Sequence, residues 1–191
     1  MTQISTQEFE RLPLRVHDFL AGVPLHDVGA VDLPRTRSGI TLDDFLRNSS
    51  VRACTLSPLA RLLVNIRLFV GRLLGWDREP AVTAFAKRLT AADLSKSLAP
   101  PGTPEGLFRV VYSFENEQLL EVINRTVHAA ALSALIETSN SYRFYFGVYV
   151  HSVSRFTSVY MALIHPFRKL VVYPSLLRTV RRNWNQTFGT A

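Results

Sequence analysis

A chain of 191 residues with 47% apolar and 19% charged side chains has an ordinary globular composition and the length of one domain with a sizeable core. The formal charge of +7 is unevenly placed: seven basic and no acidic residues follow Glu137, so the first 137 residues hold 15 of each sign and are neutral. The single cysteine, Cys54, excludes an intramolecular disulfide and a cysteine metal cluster.

The start, Met1-Thr-Gln-Ile-Ser-Thr-Gln-Glu8, lacks the basic and apolar regions of a signal peptide. No uninterrupted apolar run approaches the roughly 20 residues of a transmembrane helix. These features predict a cytoplasmic protein with no transmembrane segment, in one domain spanning residues 1–191. Residues 1–24 are polar and mixed, and read as a loosely ordered lead-in with at most one helical turn near Gln7–Leu12. The ordered domain is expected over 25–186.

A weak alternation from His26 through Val28, Ala30 or Val31, and Leu33 predicts a first strand. Pro34 has no amide hydrogen to donate and ends it, near a sheet edge. Thr41-Leu-Asp-Asp44 resembles a capping box with Asp in place of Glu, opening a short helix through Phe45 and Leu46. Ser57 and Pro58 then begin a helix over 57–74, with Leu59, Leu62, Leu63, Ile66, Phe69, Val70, Leu73 and Leu74 as its buried stripe and Gly75 as its stop. Across 77–98 the pattern is ambiguous: Val82, Phe85, Ala86 and Leu89 suit a short helix, after which Thr90 or Asp93 caps another turn. The stretch 99–106, rich in Pro and Gly, is a loop too short to separate two domains.

Strand character follows at once. Residues 107–114 and 118–123 flank a tight turn at Glu115-Asn116-Glu117, and Asn124-Arg125-Thr126 turns into a third strand over 127–137. Thr138-Ser139-Asn140-Ser141 supplies turn residues that bond their own backbone, and a fourth strand runs over 141–152. In that strand Tyr142, Phe144, Phe146, Val148 and Val150 share one face, and Arg143, Tyr145, Gly147, Tyr149 and His151 the other. The period then changes from two to 3.6. Phe156, Val159, Tyr160, Leu163, Phe167, Leu170, Pro174 and Leu177 form the stripe of a long helix over 154–184, capped by Ser154 and kinked at Pro166 and Pro174. Arg178, Arg181 and Arg182 suit the negative end of its dipole.

The order is strand, helices, four-stranded meander and long helix. It predicts an α+β fold: one antiparallel sheet, helices segregated to one face, and the C-terminal helix packed there. That arrangement resembles the helix-grip fold of the START, polyketide-cyclase and plant-allergen superfamily (SRPBCC), in which a curved sheet grips a C-terminal helix over a hydrophobic cavity. Three stretches also resemble the bacterial family called domain of unknown function 2867. These are Val31-Asp-Leu-Pro34, the Leu-rich helix ending Leu74-Gly-Trp76, and above all Tyr160-Met-Ala-Leu-Ile-His-Pro-Phe-Arg-Lys-Leu-Val-Val172 followed by Leu176-Leu-Arg178. The resemblance covers roughly residues 25–182, with Pro166-Phe167 as its best signature. Where many members carry an acidic turn with a His, this chain has Asn124-Arg125-Thr126. The family brings no catalytic residues to carry over.

Hydrolase elbows, phosphate loops and dinucleotide fingerprints are absent, and His17, His26, His128, His151 and His165 lack paired metal-ligand spacing. No cofactor, metal or nucleic acid is expected. Arg143, Tyr145, Tyr149 and His151 share a strand face with polar tips over apolar bodies, and with Tyr160, Leu163 and Phe167 they make the candidate ligand site. A half-exposed antiparallel sheet alternates in the same way. Ala129, Ala130, Ala131, Ser133 and Ala134 are small, and either admit the C-terminal helix closely or leave space beneath it. The expected function is binding of a small lipophilic molecule between sheet and helix. The alternatives are a polyketide-cyclase-like enzyme using pocket Tyr and His, and an interaction module whose basic C-terminal helix meets a membrane surface or an acidic partner.

Overall fold

The computed structural model describes residues 4–49, 84–123, 128–151 and 166–189. The helix expected over 57–74, Cys54, the turn 124–126 and the segment 154–165, with Ser154, Tyr160, Leu163 and His165, lie outside the described residues.

Among the described residues six strands form one antiparallel sheet: β1 (Leu25–Pro34), β2 (Pro104–Glu105), β3 (Phe108–Ser113), β4 (Glu117–Ile123), β5 (His128–Glu137) and β6 (Ser141–His151). Their order is β1-β6-β5-β4-β3-β2. The meander expected from alternation is present, and β1 lies at an edge, where Pro34 leaves no ladder bond unmade. Thr138 closes the β5–β6 turn: its amide donates to the Ser141 carbonyl at 2.8 Å, and its hydroxyl accepts the Ser141 amide at 3.1 Å. Two features were not legible. The short β2 pairs at the far edge, inside what reads as a loop, and Glu117 is the first residue of β4 rather than part of a turn.

Among the described residues the helices are α1 (Thr6–Glu10), α2 (Arg15–Phe19), α3 (Leu42–Asn48), α4 (Ala91–Lys96) and α5 (Tyr173–Phe188), with a 3-10 turn at Phe85–Arg88. Thr41 and Thr90 each make a full capping box with the aspartate three residues on. Of the ambiguous stretch 77–98, residues 77–83 with Val82 lie outside the described residues, and the Thr90 box settles which residue caps the turn after Leu89. A π-helical turn, Arg168–Val172, precedes α5, and the Tyr173 amide bonds back five residues to the Arg168 carbonyl. This turn sits between Pro166 and Pro174, where missing amides predict an irregularity.

The π turn corrects the C-terminal stripe. One extra residue in a turn shifts the helical phase, so an unbroken 3.6-residue pattern cannot continue through it. Leu177, Val180 and Trp184 are buried, as is part of Tyr173, but Phe167 is 49% exposed and Leu170 is 74% exposed. The helix also runs to Phe188, past the expected end at 184, so its last turn holds no basic residue. Arg178, Arg181 and Arg182 lie on its exposed side and do not complement its C-terminal dipole.

Helices cover both faces of the sheet, not one. On the first face α5 and α3 pack on Val31, Leu33, Leu135, Tyr142 and Phe144, with Phe45 against Trp184 at 5.4 Å between ring centroids. The Trp184 indole donates to the Pro34 carbonyl at 2.9 Å, tying the end of α5 to the end of β1. Gly29 permits this approach, since a Cβ there would lie 3.3 Å from the Leu177 side chain. On the second face Phe9, Val16, Phe19, Leu20 and Val23 join Ala130, Leu132, Tyr145 and Tyr149 in a separate core. Residues 4–23, expected as a loose lead-in, therefore form two short helices whose apolar side chains are built into the fold.

Candidate ligand-binding face

Strand register assigns each residue to a face. On the α5 side, one row across the sheet reads Asp27, Val148, Ala131, Leu120 and Val110. The next row, closer to α5, reads Gly29, Phe146, Ser133 and Gln118. A row on the other side adds Val150, Ala129 and Val122. In the middle of these rows Leu120, Val122, Ala129, Ala131, Ser133, Phe146 and Val148 all keep partial exposure. Helix α5 seats over β1, on Gly29, Val31 and Leu33, and leaves this floor of small and apolar side chains incompletely covered.

Three polar side chains meet at the β1 end of the floor. The Tyr173 hydroxyl donates to Asp27 Oδ2 at 3.0 Å, and Arg168 Nη2 lies 3.1 Å from the same oxygen. The Tyr173 ring sits 5.7 Å from that of Phe146, and the Arg168 guanidinium lies 6.0 Å from the Tyr173 ring centroid. Burial pushes the Tyr173 hydroxyl well above its usual range, so it is a neutral donor at physiological pH. The π turn and the β1 bulge at His26 place the group. The bulge sends Leu25 and Asp27 to different faces, and the π turn aims Arg168 and Tyr173 at the strand.

The sequence-derived site residues do not converge here. Arg143, Tyr145, Tyr149 and His151 belong to the opposite face, whereas Phe167 projects from the chain leading into α5. Arg143 is held by Asp32 at 2.6 Å and by Glu8 at 3.4 Å. Tyr145 and Tyr149 are buried in the core beneath α1 and α2, with the Phe9 ring 6.2 Å from Tyr145. His151 is exposed, its ring 5.7 Å from that of His128. Tyr160 and Leu163 are outside the described residues.

The opposite face carries buried carboxylates that alternation around Leu119 signals once Glu117 is placed in a strand. Glu117 takes the place of a side-chain cap for α2: its oxygens accept the amides of Arg15 and Val16 at 2.8 and 2.9 Å, and the Tyr112 hydroxyl at 2.6 Å. Burial raises its carboxyl above the usual glutamate range, against the opposing pull of these donors. Glu121 accepts the Phe85 amide at 3.1 Å and lies 2.6 Å from His128 Nε2, while its second oxygen is buried without a hydrogen bond. Nearby, Arg15 grips Asp93 through two bonds of 3.0 and 3.1 Å and holds that carboxyl well below the carboxylate range. An open cleft of about 700 Å³ runs past Arg15, Asp93, Lys96, Leu98, Phe114 and Glu117. Arg15, Asp93 and Glu117 already serve the docking of α2 and α4. Among the described residues no three His, Cys, Asp or Glu side chains are grouped to hold a metal, and no helix is long and apolar enough to cross a membrane.

An antiparallel sheet gripping a C-terminal helix over a partly open apolar floor defines an α+β protein of helix-grip-like layout. Over residues 19–175 the chain matches the family described as Protein of unknown function (DUF2867), and it belongs to that family. No curated protein and no solved structure matches it.

Proposed function

We propose that the protein binds a small lipophilic molecule on the α5 face of its sheet. The observation that carries this reading is the asymmetry of β5. Ala130, Leu132 and Ala134, which face α1 and α2, are fully buried, whereas Ala129, Ala131 and Ser133, which face the α5 side, stay partly exposed. Interiors pack densely, so a run of small side chains that stays partly exposed marks space for a ligand. An apolar floor with a few polar groups at one end has the character of a small-molecule site. The wider kinship to START-like ligand carriers is part of the same proposal and rests on this layout. The test is Nile red fluorescence with the purified chain. The dye is expected to bind, and Ala131→Leu to displace it without loss of stability. Absence of dye binding, together with destabilisation by Ala131→Leu, would leave the floor as ordinary packing surface.

A second reading rests on a different observation. Phe167 and Leu170 protrude beside the exposed Lys169, and Arg178, Arg181 and Arg182 are exposed further along. An apolar pair with cations around it suits peripheral contact with an anionic lipid surface. Salt-sensitive co-sedimentation with phosphatidylglycerol vesicles, lost in a Phe167→Ser, Leu170→Ser variant, is the expected result. Equal recovery with neutral vesicles would argue against it.

A further inference from the structure

The three side chains at the end of the floor say what kind of ligand fits, given that the floor is a ligand site at all. Asp27 and Arg168 are each mostly buried, with side chains 14% and 13% exposed, and they neutralise one another. Tyr173 adds a neutral hydroxyl bonded to the same carboxylate. The cluster abuts the floor directly, since Asp27 lies opposite Val148 in the register and the Tyr173 ring meets that of Phe146.

We infer that the Asp27–Arg168–Tyr173 cluster receives the uncharged polar end, a hydroxyl or carbonyl, of a lipophilic molecule lying along Val148, Ala131 and Leu120. An added carboxylate would compete with Asp27 for Arg168 and leave an unmatched negative charge away from water. An added ammonium would compete with Arg168 for Asp27 and leave an unmatched positive one. Either costs more than placing a neutral dipole, which can exchange bonds with the tyrosine hydroxyl and the ion pair without changing net charge. A hydroxyl that both donates and accepts matches a cluster offering both roles. The ligand class is therefore a fatty alcohol, sterol or neutral ketone, and not a fatty acid or a lipophilic amine.

The experiment is competition against bound Nile red by dodecan-1-ol, dodecanoate and dodecylamine, each below its micellar concentration, using the full chain. The alcohol is expected to displace the dye at a concentration lower by at least about tenfold than either charged competitor. In Tyr173→Phe, which keeps the ion pair and the ring, that advantage should fall to threefold or less. In Asp27→Asn, which removes the carboxylate that Tyr173 and Arg168 share, dodecanoate should displace the dye at a lower concentration than it needs with the unmodified chain. Should Asp27→Asn fail to fold, Tyr173→Phe decides alone. Dye binding with a charged competitor equal to the alcohol overturns the assignment of the polar end and leaves the binding floor standing. So does an advantage for the alcohol that Tyr173→Phe leaves untouched. No dye binding at all removes the proposed ligand site itself, and this inference with it.

Discussion

Ala130 and Ala131 are neighbours on one strand and have the same side chain, yet they meet different surroundings. Ala130 is sealed beneath α1 and α2 together with Leu132, Ala134, Tyr145 and Tyr149. Ala131 looks toward α5 and remains partly exposed, with Leu120 and Val148 beside it. On the first side a helix comes close enough that the small residue completes the packing. On the second, α5 rests on β1 through Gly29 and does not seal the central strands. A small side chain is thus evidence of space only after its neighbour across the gap is known. The two faces also divide the polar work: the sealed one buries Glu117, Glu121 and His128, and the open one has a charge-balanced group at its rim.

The contrast breaks most visibly if the anchors are removed. Phe9 and Trp184 are both fully buried, one on each face, so Phe9→Ala and Trp184→Ala should each cost about 3–5 kcal/mol in urea unfolding. Phe9→Ala should leave Nile red binding intact at low denaturant. Trp184→Ala should weaken it, because α5 loses both its ring contacts and its bond to Pro34. Comparable loss of dye binding in both variants would mean that the faces are not independent.

Ala130→Leu and Ala131→Leu sharpen the comparison with the same chemical change. Overfilling the sealed face should cost roughly 1–3 kcal/mol, while the partly open one should accept the larger side chain at little cost. Equal destabilisation would show the two environments to be alike.

Smaller effects come from the carboxylates of the sealed face, and their signs differ. Glu117 is raised, chiefly by burial, so its contribution is fully present below the ordinary glutamate pKa and is lost as pH rises through the raised value. Asp93 is lowered, chiefly by the Arg15 hydrogen bond, so its contribution is present above the ordinary aspartate pKa and is lost as pH falls through the lowered value. In urea titrations across pH, Glu117→Gln should flatten the decline toward neutrality, and Asp93→Asn the decline in strong acid. Least of all, changing Arg178, Arg181 and Arg182 together to Gln should move stability by about 0.5 kcal/mol or less, since all three are exposed and none sits in the last turn.

Local signals decided much of this protein. Aromatic and β-branched alternation over 141–152 needs only the two-residue period of a strand, and the turn at Thr138–Ser141 needs only hydroxyls that reach their own backbone. Pro34 placed β1 at an edge, and Thr41 with Asp44 built the expected cap. The succession of these elements implied an antiparallel sheet with a C-terminal helix. It could not decide which face that helix would take, because both faces of β6 are aromatic and either is apolar enough to be buried. That choice depends on Gly29 admitting Leu177, and on the π turn that rotates Phe167 and Leu170 outward while bringing Arg168 and Tyr173 to Asp27, 141 and 146 residues distant in the chain. The same holds for residues 4–23, whose apolar side chains gain meaning only from the sheet face they meet, as where the Phe9 ring enters the hollow over Gly147. Periodicity records which side chains seek burial, and only long-range packing settles what buries them.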